Sequence, residues 1–450
     1  MHRRGFMQAT AGTAWSASRV LGANERVGFA LIGCGGRGMF DARLMQQAPG
    51  AELRAVCDVF DERLQRAAKE LTGGKAPAFK DFRKVLELKE VDAVLVATPD
   101  HWHAIPTVLA CQAGKDVYVE KPFSLTIQEG RKMVEAAQRH QRIVMGGTQH
   151  RSAPHIAEAA KLVESGYIGE VYLVRSWNSG NLSPNRIPKT PDAEPPAGLD
   201  WDFFLGPCPK APYNPTKYFN YRQFYAYSGG YITDFGNHRI DSIHQIMKAT
   251  APLAIAASGG KFLKQNDGDV PDLLQVTYEY PGFLLEYTSC WVNSHGLGGR
   301  SPGMQYYGMT GPSNRPHGFA FYGTRGAFFV DRIGYEIFPE LAPEPLRQRG
   351  RRGASVPAEE LKFRCERKQF QGEDATALHT RNFIEFVRSR RTPFPDAEAA
   401  HRSTSACLLG NLAYQTGRKL RWNAQREDFE GDREAARLLS RPARAPWNLL

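Results

Sequence analysis

Residues 229–247 read GGYITDFGNHRIDSIHQIM. At ~100° per residue, Ile240, Ile243, Ile246 and Met247 fall on one apolar stripe. Asp234, His238 and Asp241 gather within about 60° of one another on the other side. A water-facing stripe usually carries long charged and polar side chains. Two short acids flanking a histidine suit other work. A carboxylate four residues from an imidazole can orient it as a general base. The same residue types can also hold a metal. His244 points about 100° away from Asp241 on the wheel. That breaks the set His238, Asp241 and His244, so no metal is expected.

A second set lies near the start. Val27 to Ile32 is a β-type apolar run, followed by Gly33, Gly35 and Gly38 in G-x-G-x-x-G spacing and then a helix-like segment. Asp58 ends a second strand-like run, AELRAVCDVF, about 20 residues beyond the turn. The spacing alone says little, but strand, glycine turn, helix and acid in that order say more. The turn Gly33-Cys34-Gly35-Gly36-Arg37-Gly38 would bring backbone N–H groups to a pyrophosphate at a helix N-terminus. Asp58 would accept hydrogen bonds from the adenosine ribose and repel a 2′-phosphate, so NAD is expected over NADP.

Stepping outward, these residues need a scaffold. Strand-like 91–99, 116–122 and 143–150 alternate with helix-like segments, which implies a doubly wound parallel sheet over residues 25–150. Ligands bind such sheets beyond the carboxyl ends of the strands. Asp58, Thr98, Pro99, Glu120, Lys121 and Gln149 all fall at those ends, and DHWH (100–103) sets His101 and His103 beside them. Residues 151–450 are expected to form a second α/β domain, with β-rich stretches such as EVYLVRSWNS, LLQVTYEY and FLLEYTSCW. YPGF (280–283) reads as a hairpin turn, and the Pro-rich stretch 183–198 as a loop.

The 450-residue chain has a formal net charge of +11, but its basic residues are dispersed and no nucleic-acid motif accompanies them. The densest group, Arg347, Arg349, Arg351 and Arg352, sits in a Gly/Pro-containing loop. No apolar run reaches the ~18 residues of a membrane span. Seven scattered cysteines without a CxxC pair make neither a disulfide framework nor a zinc ribbon. Residues 1–24 carry Arg3-Arg4, Phe6-Met7 and an Ala/Thr-rich run, which suggests a twin-arginine export signal and a periplasmic location; without it the protein would be cytoplasmic.

GCGGRG, ATPDHWHA and EKP in this order resemble the glucose–fructose oxidoreductase, inositol dehydrogenase and MocA (Gfo/Idh/MocA) family, and the similarity runs through nearly the whole chain. The ending resembles exported, sugar-directed branches of that family. The resemblance implies a Rossmann domain followed by an α/β domain whose large, mostly antiparallel open sheet packs in homo-oligomers. It implies hydride transfer between a nicotinamide and a carbohydrate or polyol carbon. Carried over residue by residue, Lys121 of EKP lowers the substrate hydroxyl pKa. His238 is the general base, and Asp234 orients it and accepts from substrate. Either His238 or Lys121 takes the proton. His103 would lie near the nicotinamide. Arg151, Tyr221, Arg222 and Asp241 are further candidate substrate contacts, with Trp177, Trp201, Phe219, Tyr221, Phe224, Tyr225 and Tyr227 as rings on which a sugar could stack. The expected activity is an NAD-dependent sugar or polyol oxidoreductase that keeps its cofactor bound. The alternatives are an NAD-dependent glycoside hydrolase, working by transient oxidation, elimination, hydration and re-reduction, and a non-catalytic dinucleotide or sugar sensor.

Overall fold

A computed structural model describes residues 26–181, 187–263, 267–296, 316–342 and 362–448. The twin-arginine segment and the Arg347–Arg352 group lie outside these described residues.

Six strands form the first sheet: β1 (Val27–Ile32), β2 (Ala51–Cys57), β3 (Ala78–Phe79), β4 (Ala93–Val96), β5 (Asp116–Glu120) and β6 (Val144–Gly147). All pairs are parallel, in the order β3-β2-β1-β4-β5-β6. β1, β4, β5 and β6 are buried at every residue, as strands covered on both faces must be. The order reverses between β1 and β4, and a crevice opens there at the carboxyl ends. β6 stops at Gly147, and the expected strand end at 148–150 turns instead into a 3₁₀ turn, Gln149–Ser152.

Among the described residues, the second sheet has eleven strands: β7 (Val171–Asn181), β8 (Ala254–Gly260), β9 (Leu273–Tyr280), β10 (Phe283–Cys290), β11 (Val292–Asn293), β12 (His317–Gly323), β13 (Gly326–Asp331), β14 (Gly334–Pro339), β15 (Lys368–Gln371), β16 (Leu420–Asn423) and β17 (Asp428–Phe429). It is open and mostly antiparallel, with β7 and β10 as a parallel pair. Pro281-Gly282 makes the turn joining β9 to β10. The fold class expected from the sequence is therefore the one observed. One face of this sheet buries Tyr278, Tyr287, Phe319 and Phe321 against the helix Asn237–Met247, which carries Ile240, Ile243 and Ile246.

The two sheets share their covering helices. Helix Thr376–Ser389 contributes Phe383, Ile384 and Val387 to a core with Leu31 and Tyr118 of the first sheet. Arg131, on helix Ile127–Arg139, holds Glu398 at 2.7 Å and Glu427 at 2.6 Å. His401 adds a 2.8 Å contact to the same Glu427. Late parts of the chain thus complete the first domain.

Candidate active site

The glycine turn is tight because backbone atoms leave no room for side chains. Gly33 has φ +98°, and a Cβ on Gly38 would stand 2.1 Å from the Gly33 carbonyl oxygen. Cβ atoms on Gly35 and Gly36 would instead meet nothing within 4 Å, because they face the open crevice. Helix Gly36–Gln46 starts there with no side-chain cap and no acid in its first turn, so its leading N–H groups and dipole are left for an anion. Asp58 accepts from the N–H of Cys34 at 2.7 Å and of Phe60 at 3.0 Å. Burial raises its carboxyl despite those donors and the nearby Arg63. Beyond Asp58 lies an apolar pocket walled by Ile32, Phe82, Pro99, Trp102, Phe203, Phe204 and Tyr218. A cradle for a pyrophosphate, an acid for a ribose and an apolar slot for a base stand in sequence, and these residues fit a dinucleotide.

The crevice continues past Thr98, Pro99 and Glu120 to Lys121, Tyr221 and Arg222. Glu120 is buried and accepts from Arg37 Nε at 3.1 Å, Gln149 Nε2 at 2.9 Å and the Lys121 N–H at 3.1 Å. Burial would raise its carboxyl, but Arg37 and Lys121 hold it below the usual range. Lys121 Nζ donates to the Asp234 carbonyl at 2.8 Å and also pairs with the Asp234 carboxylate. Arg222 Nε reaches the same carboxylate at 3.1 Å. Burial acts to raise Asp234, and the two cations overcome it and bring the carboxyl down to about 2. Two cations on one carboxylate leave positive charge facing the crevice, where a developing alkoxide would be stabilised. His238 stacks on His150 with ring centroids 4.7 Å apart, and its Nδ1 is buried without a partner. Burial, then His150 and Lys121, drives its pKa well below the ordinary value, so the ring is neutral and resists protonation until charge develops beside it.

The family model for an oxidoreductase family with an NAD-binding Rossmann fold matches residues 27–148, and the model for that family's C-terminal alpha/beta domain matches residues 161–282 and 366–449. The chain belongs to the Gfo/Idh/MocA oxidoreductase family. Among curated relatives, a 2,7-anhydro-N-acetylneuraminate hydratase of Mediterraneibacter gnavus is 27% identical over 258 residues, 57% of this chain and 59% of the relative. A scyllo-inositol 2-dehydrogenase (NAD(+)) of Bacillus subtilis is 32% identical over 161 residues, 36% of this chain and 46% of the relative. The chain thus spans less than two thirds of the length of these relatives. A solved levoglucosan dehydrogenase in complex with NADH and levoglucosan shares the fold, with a TM-score of 0.63 at 17% identity over 88% of this chain and 99% of that one.

This Gfo/Idh/MocA chain arranges some expected residues differently from their sequence reading. Asp234 does not orient His238: its carboxylate is taken by Lys121 and Arg222. The cause is local, because Ile232–Gly236 is a π-helical turn and regular α-helix begins only at Asn237. A wider turn breaks the i,i+4 alignment, and two cations attract a carboxylate more strongly than a neutral ring does. Asp241 does not face the crevice. It is fully buried and pairs with Arg151 at 2.8 Å, the arginine itself being 7% exposed. Neither is among the described residues lining the crevice. A buried charge stripped of its partner costs about 3–5 kcal/mol, so this pair bolts helix Asn237–Met247 to the turn after β6.

His101 is buried with Nε2 at 2.8 Å from the Phe204 carbonyl, away from the glycine turn. His103 sets Nδ1 2.6 Å from the Pro122 carbonyl and Nε2 2.9 Å from that of Thr98, tying two strand ends together. Gln149 acts on Glu120. Of the rings considered for sugar stacking, Phe219 and Tyr221 line the crevice, whereas Trp177 is buried in the second sheet and Trp201 stacks on Phe204. Sequence reasoning missed Arg63 and Lys80, which line the adenosine end, and Phe203, Phe204 and Tyr218, which wall it. The available signal was the density of aromatic residues from 201 to 227.

Proposed function

We propose that the protein is an NAD-dependent oxidoreductase acting on a secondary hydroxyl of a sugar, polyol or glycoside. The observation that carries this reading is the Lys121–Asp234–Arg222 cluster at the far end of a crevice that begins with the glycine turn and Asp58. Bound nicotinamide supplies the acceptor for a hydride from the substrate carbon. Lys121 and Arg222 lower the pKa of the substrate hydroxyl and steady the alkoxide. Asp234 stays ionised and fixes both cations. His238 or Lys121 removes the proton, and neutral His238 needs no prior deprotonation. Asp58 selects NAD over NADP by charge.

A second reading is redox-neutral. The hydratase relative is named for adding water to an anhydro sugar, and the same proton-handling residues would serve release of an aglycone by elimination followed by hydration. One experiment separates the readings. The protein is incubated with NAD and a panel of polyols, free sugars and aryl glycosides, while absorbance at 340 nm and aglycone release are followed together. Reduction of the bound cofactor by an alcohol, read as a single-turnover rise at 340 nm, is the expected result. Aglycone release without net NADH favours the redox-neutral cycle. A protein that binds NAD but turns over nothing on the panel is a sensor.

Export through the twin-arginine route is part of this proposal, since that route carries folded proteins with their cofactors inside. Replacing Arg3 and Arg4 with Lys is expected to retain the protein in the cytoplasm; an unchanged distribution after fractionation rejects the signal. Pairing through the second sheet is likewise proposed. Tyr172 (56% exposed) and Leu284 (45% exposed) stand on that sheet as uncovered apolar side chains, and a monomeric mass in solution would reject the pairing.

A further inference from the structure

The adenosine pocket has two walls of different origin. Ile32, Phe82, Pro99 and Trp102 come from the first sheet and its helices. Phe203, Phe204 and Tyr218 come from an aromatic lobe, residues 199–227, inserted after β7. Where the lobe begins, a short seam holds it: Asp61 donates its N–H to the Gly198 carbonyl at 3.1 Å, Lys80 Nζ donates to the same carbonyl at 3.1 Å, and Asp200 donates to the Val59 carbonyl at 3.0 Å. Further along, Trp102 Nε1 donates to the Phe203 carbonyl at 3.1 Å and the Phe204 carbonyl at 2.9 Å. A base seated in this pocket would be held between the lobe wall and the sheet wall.

The chain returns to this junction more than 200 residues later. Trp447 is 6% exposed. It stacks on Phe203 with centroids 5.0 Å apart and planes 14° from parallel, and meets Trp102 edge-on at 4.8 Å. One indole therefore backs one aromatic residue from each wall, on the side away from the cavity. Arg83 covers its ring at 5.2 Å. Arg444 binds the lobe with its fork: Nη1 donates to the Asp202 carboxylate at 2.8 Å, Nη2 to the Asp202 carbonyl at 2.9 Å, and Nε to the carbonyls of Gly206 at 3.1 Å and Cys208 at 3.2 Å. Arg441 spans the same junction, pairing with Glu129 at 3.1 Å and donating to the carbonyls of His101 at 3.3 Å and Ala226 at 3.0 Å.

We propose that residues 441–447 are a latch that pins the aromatic lobe to the first domain and so retains the dinucleotide between turnovers. Trp447 and Arg444 touch neither the crevice nor the glycine turn. They are positioning residues that act through Phe203, Trp102 and the backbone of 202–208. The latch rests on the cofactor reading above and adds to it a reason for slow exchange. With the latch intact, release requires prying apart a stacked aromatic bracket and a four-bonded guanidinium. Retention of this kind suits an enzyme whose cofactor is recycled in place.

The test reads release and not turnover. Full-length protein is loaded with NADH, mixed with excess NAD, and the loss of bound NADH fluorescence gives a dissociation rate. Trp447→Ala and Arg444→Ala are each expected to raise that rate by roughly tenfold or more, since interface losses appear mainly in dissociation. The nucleotide-free Arg444→Ala variant should melt with the parent, because the Asp202 carboxylate it leaves is 61% exposed, whereas Trp447→Ala empties a buried site and should melt lower. If Trp447→Ala does not fold, Arg444→Ala decides alone, because it leaves every ring in place. Unchanged dissociation in a folded variant overturns the latch, as does a rise in Arg444→Ala seen only alongside a fall in its own melting temperature. A parent protein that binds no NADH overturns the cofactor reading itself.

Discussion

Lys121→Met is expected to lower kcat by a factor on the order of 10² to 10⁴, the usual loss on removing a positioned proton-transfer group, while NAD binding and the fold persist. Methionine keeps a flexible chain of similar girth and removes the charge together with the hydrogen bonds that Lys121 Nζ gives the Asp234 carbonyl and carboxylate. The fold should tolerate this because Asp234 keeps Arg222 as a partner at 3.1 Å and so is not stranded as a buried, unpaired charge. His238→Ala should depress turnover over a similar range if the imidazole takes the proton. The pH profile tests the neutral-ring reading of His238. Burial, then His150 and Lys121, holds the His238 pKa well below the ordinary value. A neutral ring persists as pH falls past about 6.5, so the parent enzyme should lose no activity there through this residue. Asp234, held at about 2, adds no inflection either. Steady-state rates between pH 5.5 and 8 and a nucleotide titration provide the check. A Lys121→Met protein with kcat within tenfold of the parent would remove Lys121 from the chemistry.

Acid should unfold the protein early. Burial brings His101 and His244 down to about 3 and His379 to about 4. The unfolded chain binds protons at these histidines near pH 6.5, whereas the folded chain refuses them. The stability they represent is complete above about pH 6.5 and drains away as pH falls toward 3–4. At pH 5 each accounts for about 2 kcal/mol, and the three together for about 6 kcal/mol. That is comparable with the ~5–15 kcal/mol total stability of a typical folded protein. Asp58 and Asp100, whose carboxyls burial raises, offset part of the loss when they protonate. The low carboxylates work differently: Asp234, at about 2, gives up its contribution only as pH falls from about 4. A clear drop in the denaturant midpoint between pH 7 and pH 5 is expected by circular dichroism. Equal midpoints at the two pH values would mean that these histidines are reached by water in the folded state.

How much of this was legible in the residues differs by element. The first sheet was, because buried parallel strands are short apolar runs and the glycine turn has a fixed order of strand, glycines, helix and acid. Lys121 was placed at the ligand edge by its position at a strand end. The helix carrying His238 was placed, but its phase was not. A hydropathy pattern cannot reveal that Ile232–Gly236 winds as a π turn, and that turn sends Asp234 to Lys121. Asp241 and Arg151 looked like polar side chains free for substrate, because sequence shows charge and not the partner 90 residues away that cancels it. The aromatic lobe showed only as composition. Its rings serve two cores and a pocket wall, and only three-dimensional packing sorts them.

The late return of Arg444 to Gly206, across 238 residues of sequence, also sets an order of events during synthesis. At about 5–20 residues per second, the ribosome makes the lobe tens of seconds before it makes the segment that fastens it. Through that interval the lobe is held to the first domain by the Trp102 and His101 side chains on the Phe203 and Phe204 carbonyls, and not yet by the latch. A latch that slows release slows entry as well, so a nascent chain should exchange nucleotide faster than the finished protein does.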